Sequence, residues 1–451
     1  MFEKAKRLAK SKNKKMIAGA AFITMILIAT FLQIGADKPL TNTREESDFT
    51  QAFLDPPIPP ENKIELELSI SDLVVEDIYL NEDVYKRISI DDCGYIGQVG
   101  HPKLPFKTLK ILLPYGKDLD KVNVVPSERY TLDGKFKIEP AQAQIPFGTD
   151  EIPKFALAES IYQSANLFPE NIYSVEGVYE LRGYRILILN IYPVQYIPNT
   201  AEISYFKDMK VQVSVSDNTL ANSLFRGFYV DEERVISAVD NPEIINTYKG
   251  NKEEGKNLPS SSGLSPDSYD YVIITNEALK NSGGAYTFQD LADYKIAHGI
   301  QTTIVTVEYI YANYPGDDEQ EKIRNFIIDA YQTWNIRYVL LGGDGDGANL
   351  GGESEDPIIP ARGFYATAYG EVDYNIPSDL YYSGLDGTWD DDGDGIYGED
   401  GEEDFYAEVY VGRAPVDSEE EVSNFVMKTL IHEQINDEYL SKALMVGEDL
   451  G

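Results

Sequence analysis

The chain has 451 residues, with 39 Lys plus Arg against 76 Asp plus Glu, for a formal net charge of -37. A surface this acidic repels a phosphate backbone, which argues against nucleic acid as a partner. With 43% hydrophobic and 12% aromatic residues there is ample apolar surface to bury, so the chain folds instead of remaining an acidic tail, and its length suits two or three domains. Its single cysteine, Cys93, excludes a disulfide framework or a thiolate zinc site within one chain, and His101, His298 and His432 are the only imidazoles.

The first 15 residues hold seven cations and one acid, and an uncharged run of 19 residues, 16–34, follows directly. That run is about long enough to cross a bilayer as a helix, and the positive charge before it keeps the N-terminus cytoplasmic. Residues 1–36 therefore read as a signal peptide or a signal anchor, with Ile34-Gly35-Ala36 as a modest cleavage site. Either way the remainder is expected outside the cell or at its surface, and held to the membrane if the segment is retained. Residues 37–63 are polar and rich in proline (Pro56, Pro57, Pro59, Pro60), as a linker is.

Residues 64–249 alternate short β-type runs with Gly, Pro, Asn and Asp, as in 110–114, 184–192 and 210–215, and predict a mainly antiparallel β domain. Residues 250–268 have linker composition. From 269 the rhythm turns to strand, helix, strand. Apolar runs at 271–275, 302–307 and 338–342 predict buried parallel strands, with helices over 287–298 and around Ile323, Phe326, Ile327, Ala330 and Tyr331. A strand at 408–412 precedes a helix from Ser418 to about Asn436, with Asp417 as its N-cap. One more strand begins at 443–447, and because such a sheet does not normally end on an entering strand, a longer parent chain is expected.

The sharpest chemical signal is 386–404, where ten of nineteen residues are acidic and none is basic. Such density is unfavourable unless cations neutralise it. Within it Asp390, Asp392 and Asp394 alternate and Gly395 follows, matching positions 1, 3, 5 and 6 of a calcium loop. The twelfth position is Gly401, so the bidentate carboxylate falls to Glu399, Glu402 or Asp404. A solvated acidic loop is the alternative; the spacing favours calcium. The glycine-rich turn at 342–347 lacks a following amphipathic helix, and Asp344 and Asp346 would repel a pyrophosphate, which argues against a dinucleotide site. Cys93 and His101 are near only in sequence, His298 suits a helix C-cap, and His432 suits a helix surface.

The stretch Ile376-Pro-Ser-Asp-Leu-Tyr-Tyr through Gly395-Ile-Tyr-Gly-Glu399, with Glu408-Val-Tyr-Val-Gly-Arg-Ala-Pro-Val416, resembles the first half of the catalytic domain of gingipain-family cysteine peptidases. The strand at 338–344 fits as well. Upstream, Gly100-His-Pro-Lys-Leu-Pro105, Ile138-Glu-Pro-Ala-Gln142, Arg182-Gly-Tyr184 and 192–198 resemble that family's propeptide. The resemblance covers roughly 64–451 and implies a caspase-like α/β parallel sheet preceded by a β-rich propeptide domain. It also implies secretion, a polypeptide substrate, and a His/Cys dyad in which the thiolate attacks the peptide carbonyl. The family places that His and Cys beyond the strand starting at Ala443. Neither Cys93 nor His432 matches those positions, so this chain by itself is expected to be inactive.

Overall fold

The computed structural model describes residues 62–143, 154–218, 224–249, 268–345, 357–368 and 371–435. The leader, nearly all of the proline-rich stretch, residues 250–267, Asp346 and the strand expected at 443–447 lie outside these. Among the described residues no helix is long and apolar enough to cross a membrane. These residues form two compact units, one of 62–218 and 227–249, the other of 224–226 and everything from 268 onward.

The first unit is built on strands β1 (Lys63–Ser69), β2 (Val74–Leu80), β3 (Asp83–Ser89), β4 (Gly94–Tyr95), β5 (Pro105–Leu112), β6 (Lys117–Pro126), β7 (Arg129–Thr131), β8 (Tyr173–Leu181), β9 (Tyr184–Ile191), β10 (Val194–Ile197), β11 (Glu202–Phe206) and β12 (Asp208–Asp217). Their orders are β1-β12-β6, β4-β5-β9-β8, β10-β11-β7 and β2-β3, and each of these pairings is antiparallel. Period-two patterning makes the core. On β12, Met209, Val211, Val213 and Val215 are buried while the residues between them are not, and they share a core with Leu109, Ile111, Leu187 and Leu189. β9 is apolar on both faces, and residues 229–248 pack against the start of β9 and the end of β5. There the Asn241 amide bonds both main-chain groups of Leu112, the Tyr248 hydroxyl donates to Leu113 O at 2.8 Å, and the rings of Tyr184 and Tyr248 are 4.6 Å apart. Arg182 and Asp231 form a buried ion pair at 3.0 Å in the same layer.

The second unit is a parallel sheet of β13 (Tyr271–Thr275), β14 (Thr302–Thr306), β15 (Tyr338–Gly342) and β18 (Tyr410–Ala414), in the order β14-β13-β15-β18. An antiparallel hairpin, β16 (Arg362–Ala368) with β17 (Glu371–Ser378), is inserted between β15 and β18. Helices Val307–Asn313 and Glu319–Thr333 fill one face through Ile310, Ile323, Phe326, Ile327 and Tyr331. Helices Phe288–Ala297 and Glu419–Gln434 fill the other through Phe288, Leu291, Val422 and Val426. The strands are apolar runs because both faces are covered.

Local chemistry sets the element ends. Thr287 and Asp290 form a reciprocal capping box, and His298 is the C-cap of that helix, its Nδ1 2.7 Å from Tyr294 O. The last helix is capped by Ser418, one residue later than expected, because Ser418 takes the extended conformation and its Oγ accepts from Glu421 N. Asp417 instead places its main-chain N–H against the Glu421 carboxylate at 3.0 Å. That helix ends at Gln434, two residues early. The strand expected at 408–412 is Tyr410–Ala414, since Glu408 turns its side chain back to the preceding loop.

Candidate calcium centre

The acidic run lies in the connection from β17 to β18, and arginines hold its base. Arg324, on the inner side of helix Glu319–Thr333, is 7% exposed. Its Nε donates to Tyr381 O at 3.0 Å, and its Nη2 donates to Gly384 O and Asp386 O, both at 2.8 Å, and to Gly387 O at 3.2 Å. One guanidinium thus gathers the carbonyls of a segment with no regular partner of its own. Arg413, from the end of β18, makes a bidentate pair with Asp379 and donates to Gly343 O and Ile359 O. Trp389, at φ +65 and 2% exposed, stacks on Phe364 with centroids 4.8 Å apart and pins the start of the acidic loop.

Beyond that base the backbone turns around its own carboxylates. Asp394 N donates to Asp390 Oδ1 and Asp392 Oδ1 at 3.0 and 3.1 Å, Gly395 N to Asp390 Oδ2 at 3.1 Å, and Ile396 N to Asp394 Oδ1 at 2.8 Å. Gly395 has φ +86, the left-handed conformation that the sixth position of such a loop requires. Oxygens of Asp390, Asp392 and Asp394 come within 4.8 Å of one another, and Asp392 meets Glu399 and Glu402 within the same limit. All four residues singled out from the sequence are therefore brought together through Asp392, with Glu402 as a fifth. Glu399 is held above the ordinary carboxylate range by desolvation and then by the charges of Asp394, Glu402, Asp392 and Asp390.

A second group lies deeper, where Asp386, Asp404 and Glu408 place oxygens within 4.8 Å of one another. Glu408 is fully buried and accepts from Leu385 N at 2.7 Å. Burial pushes both the Asp386 and the Asp404 carboxyls up, and for Asp404 the adjacent Asp386 adds to the shift. Asp386 Oδ1, Asp404 Oδ2 and Glu402 Oε2 are buried without a hydrogen-bond partner. Buried acceptors left unbonded are costly, and either a proton or a hard cation relieves them. Sequence reading offered Asp404 only as an alternative twelfth ligand and missed Asp386 and Glu408 as metal ligands. The available hint was Glu408 standing immediately before an apolar strand.

The remaining titratable candidates have surroundings of their own. Cys93 is half-buried against the core of Ile88, Leu104 and Ile138, and burial pushes its thiol up, away from a reactive thiolate. The His101 ring meets Phe168 edge-on, with centroids 5.8 Å apart. His298 and His432 are exposed at helix ends. Asp344 accepts from Ile358 N at 2.9 Å and shapes the turn after β15.

Known proteins divide the chain in the same way. The family model described as Peptidase family C25 matches residues 264–451, and that described as Propeptide_C25 matches 61–246. The chain belongs to the gingipain family of cysteine peptidases. Gingipain R2 of Porphyromonas gingivalis is 24% identical over 401 residues, covering 86% of this chain and 46% of the relative. Lys-gingipain HG66 of the same organism is 22% identical over 450 residues, covering 96% of this chain and 22% of the relative. The gingipain-like chain thus spans under half the length of these relatives. Among solved structures, the complex of P. gingivalis RgpB pro- and mature domains is similar at 20% identity, with a TM-score of 0.35, covering 41% of this chain and 94% of that one.

Proposed function

We propose that the chain is the propeptide and the N-terminal part of the catalytic domain of an exported, gingipain-like cysteine endopeptidase zymogen acting on polypeptides. The observation that carries this reading is that a C25 propeptide match and a C25 peptidase match follow one another, meeting between residues 246 and 264. The charged leader and its apolar run support export, with the product secreted or held at the surface. Linker composition at 250–268 supports that stretch as the exposed connection between the parts.

Residues 264–451 contain no cysteine, and the one thiol of the sequence is in the propeptide-matched part. Cysteine catalysis needs a thiolate beside an imidazole, so in this reading the 451 residues alone carry no dyad. Calcium is the structural cofactor, with the triplets Asp390/Asp392/Asp394 and Asp392/Glu399/Glu402 linked through Asp392 as one ligand group and Asp386, Asp404 and Glu408 as another. The lack of a thiol also favours the second reading, an inactive calcium-stabilised surface module. Assaying these 451 residues, and the product of the whole gene, on a mixed-sequence fluorogenic peptide library under reducing conditions with calcium separates the two. Turnover by the whole product alone supports the zymogen, and turnover by neither supports the module. Turnover by the 451 residues that disappears in Cys93→Ala overturns the placement of the nucleophile.

A further inference from the structure

Residues 224–226 belong to the α/β unit, although the chain on both sides belongs to the β unit and all three lie inside the propeptide match. Two different contacts hold them. Leu224 is 3% exposed and is part of the core that includes Val272, Ile274, Tyr331 and Ile336. Arg226 sets its guanidinium 3.7 Å from the centroid of the Tyr331 ring and donates from Nη1 to Ile336 O at 2.9 Å. An apolar side chain in the core specifies depth; a charged donor on a carbonyl and an aromatic face specifies register. Ile336 stands two residues before β15, so this seat is at the amino ends of the parallel strands. Substrates of open α/β sheets bind at the other end, beyond the carboxyl ends.

We propose that Leu224–Arg226 is a docking peptide by which the propeptide-matched chain is fastened into the peptidase unit, against Tyr331 and Ile336. It stays seated after the connection at 250–267 is cut. Because the seat is remote from the substrate end, it retains the propeptide without itself blocking a substrate. The inference draws on the zymogen reading only for the natural relevance of such a cut; the docking itself is independent of it.

The test uses the full chain with a site-specific protease sequence placed within 250–267. After cutting, the two fragments are expected to co-elute on size exclusion, and a synthetic peptide of residues 221–229 in excess is expected to release the propeptide fragment. Leu224→Ala is expected to weaken retention by roughly 10- to 100-fold, the scale of one buried leucine side chain. Arg226→Gln removes the cation without opening a core cavity, so its loss of retention, with the melting temperature of the uncut chain unchanged, separates docking from misfolding. Retention that is equal in parent, Leu224→Ala and Arg226→Gln, or insensitive to the peptide, overturns the proposal. Since the added protease makes the cut, an inactive parent enzyme would leave these outcomes unchanged.

Discussion

Arg324 Nη2 donates to the main-chain oxygen of Asp386 at 2.8 Å, while Oδ1 of that aspartate is buried without a hydrogen bond. The same guanidinium therefore fixes the loop and leaves a carboxylate beside it unsatisfied. Replacing Arg324 with Met removes the donor shared by the carbonyls of Tyr381, Asp386 and Gly387 and leaves Gly384 O only the long bond from Trp389 Nε1 at 3.4 Å. With about 1–3 kcal/mol for each buried group that water does not reach, the loss of stability is expected to be about 3 kcal/mol or more. Urea unfolding of the variant measures it, and a loss below about 1 kcal/mol contradicts this role.

Gly384 is a packing requirement. A Cβ there would stand 3.0 Å from Trp389 Cζ2 and 3.1 Å from Asp404 Oδ2. Gly384→Ala is expected to destabilise by about 1–3 kcal/mol, the usual scale of overpacking, and to shrink the response to calcium because it displaces Asp404. Gly412→Ala, where the added carbon meets nothing within 4 Å, is the control and is expected to show less of both.

The Asp318–Arg362 pair gives a pH dependence. Burial acts to raise the Asp318 carboxyl, but the bidentate Arg362 guanidinium, at 2.7 and 2.9 Å, more than offsets this and leaves it below the ordinary range. A carboxyl depressed in the folded state contributes stability above its unfolded value, about 4, and loses that contribution as pH falls through the folded value. Asp318→Asn is therefore expected to lower the melting temperature at pH 7 and to converge with wild type as pH falls below the ordinary carboxylate range. Asp318 also caps its helix through Glu321 N, at 2.8 Å, an interaction Asn preserves, so the difference isolates the charge. A constant gap from pH 7 to pH 3 contradicts the assignment.

The sheet was legible because its signal is local. Residues 271–275, 302–306 and 338–342 are short runs of apolar and β-branched residues without a charge, and Thr287 with Asp290 carries its own cap. The Asp390–Asp394 alternation was legible for the same reason, since turn and ligands share six residues. What sequence did not disclose depends on distant partners. Ser418 rather than Asp417 caps the last helix because of backbone conformation at a single residue. Glu408 is buried because Leu385, 23 positions earlier, presents its N–H there. Leu224 stands alone among loop residues, with no periodicity to announce that it enters a core formed by residues 272–341 and beyond.

We propose that calcium binding by the two carboxylate groups orders the acidic loop. Like charges crowded at this density repel until a cation or protons intervene, and ligand bound only to the folded state raises stability by mass action. Thermal unfolding of the 451-residue chain at pH 7, in millimolar calcium and in chelator, tests it in wild type, Asp392→Ala/Asp394→Ala and Asp404→Ala. The wild type is expected to melt several degrees higher with calcium, each variant to lose part of that increment, and the three substitutions combined to abolish it. Equal melting temperatures for wild type with calcium and with chelator would contradict the account.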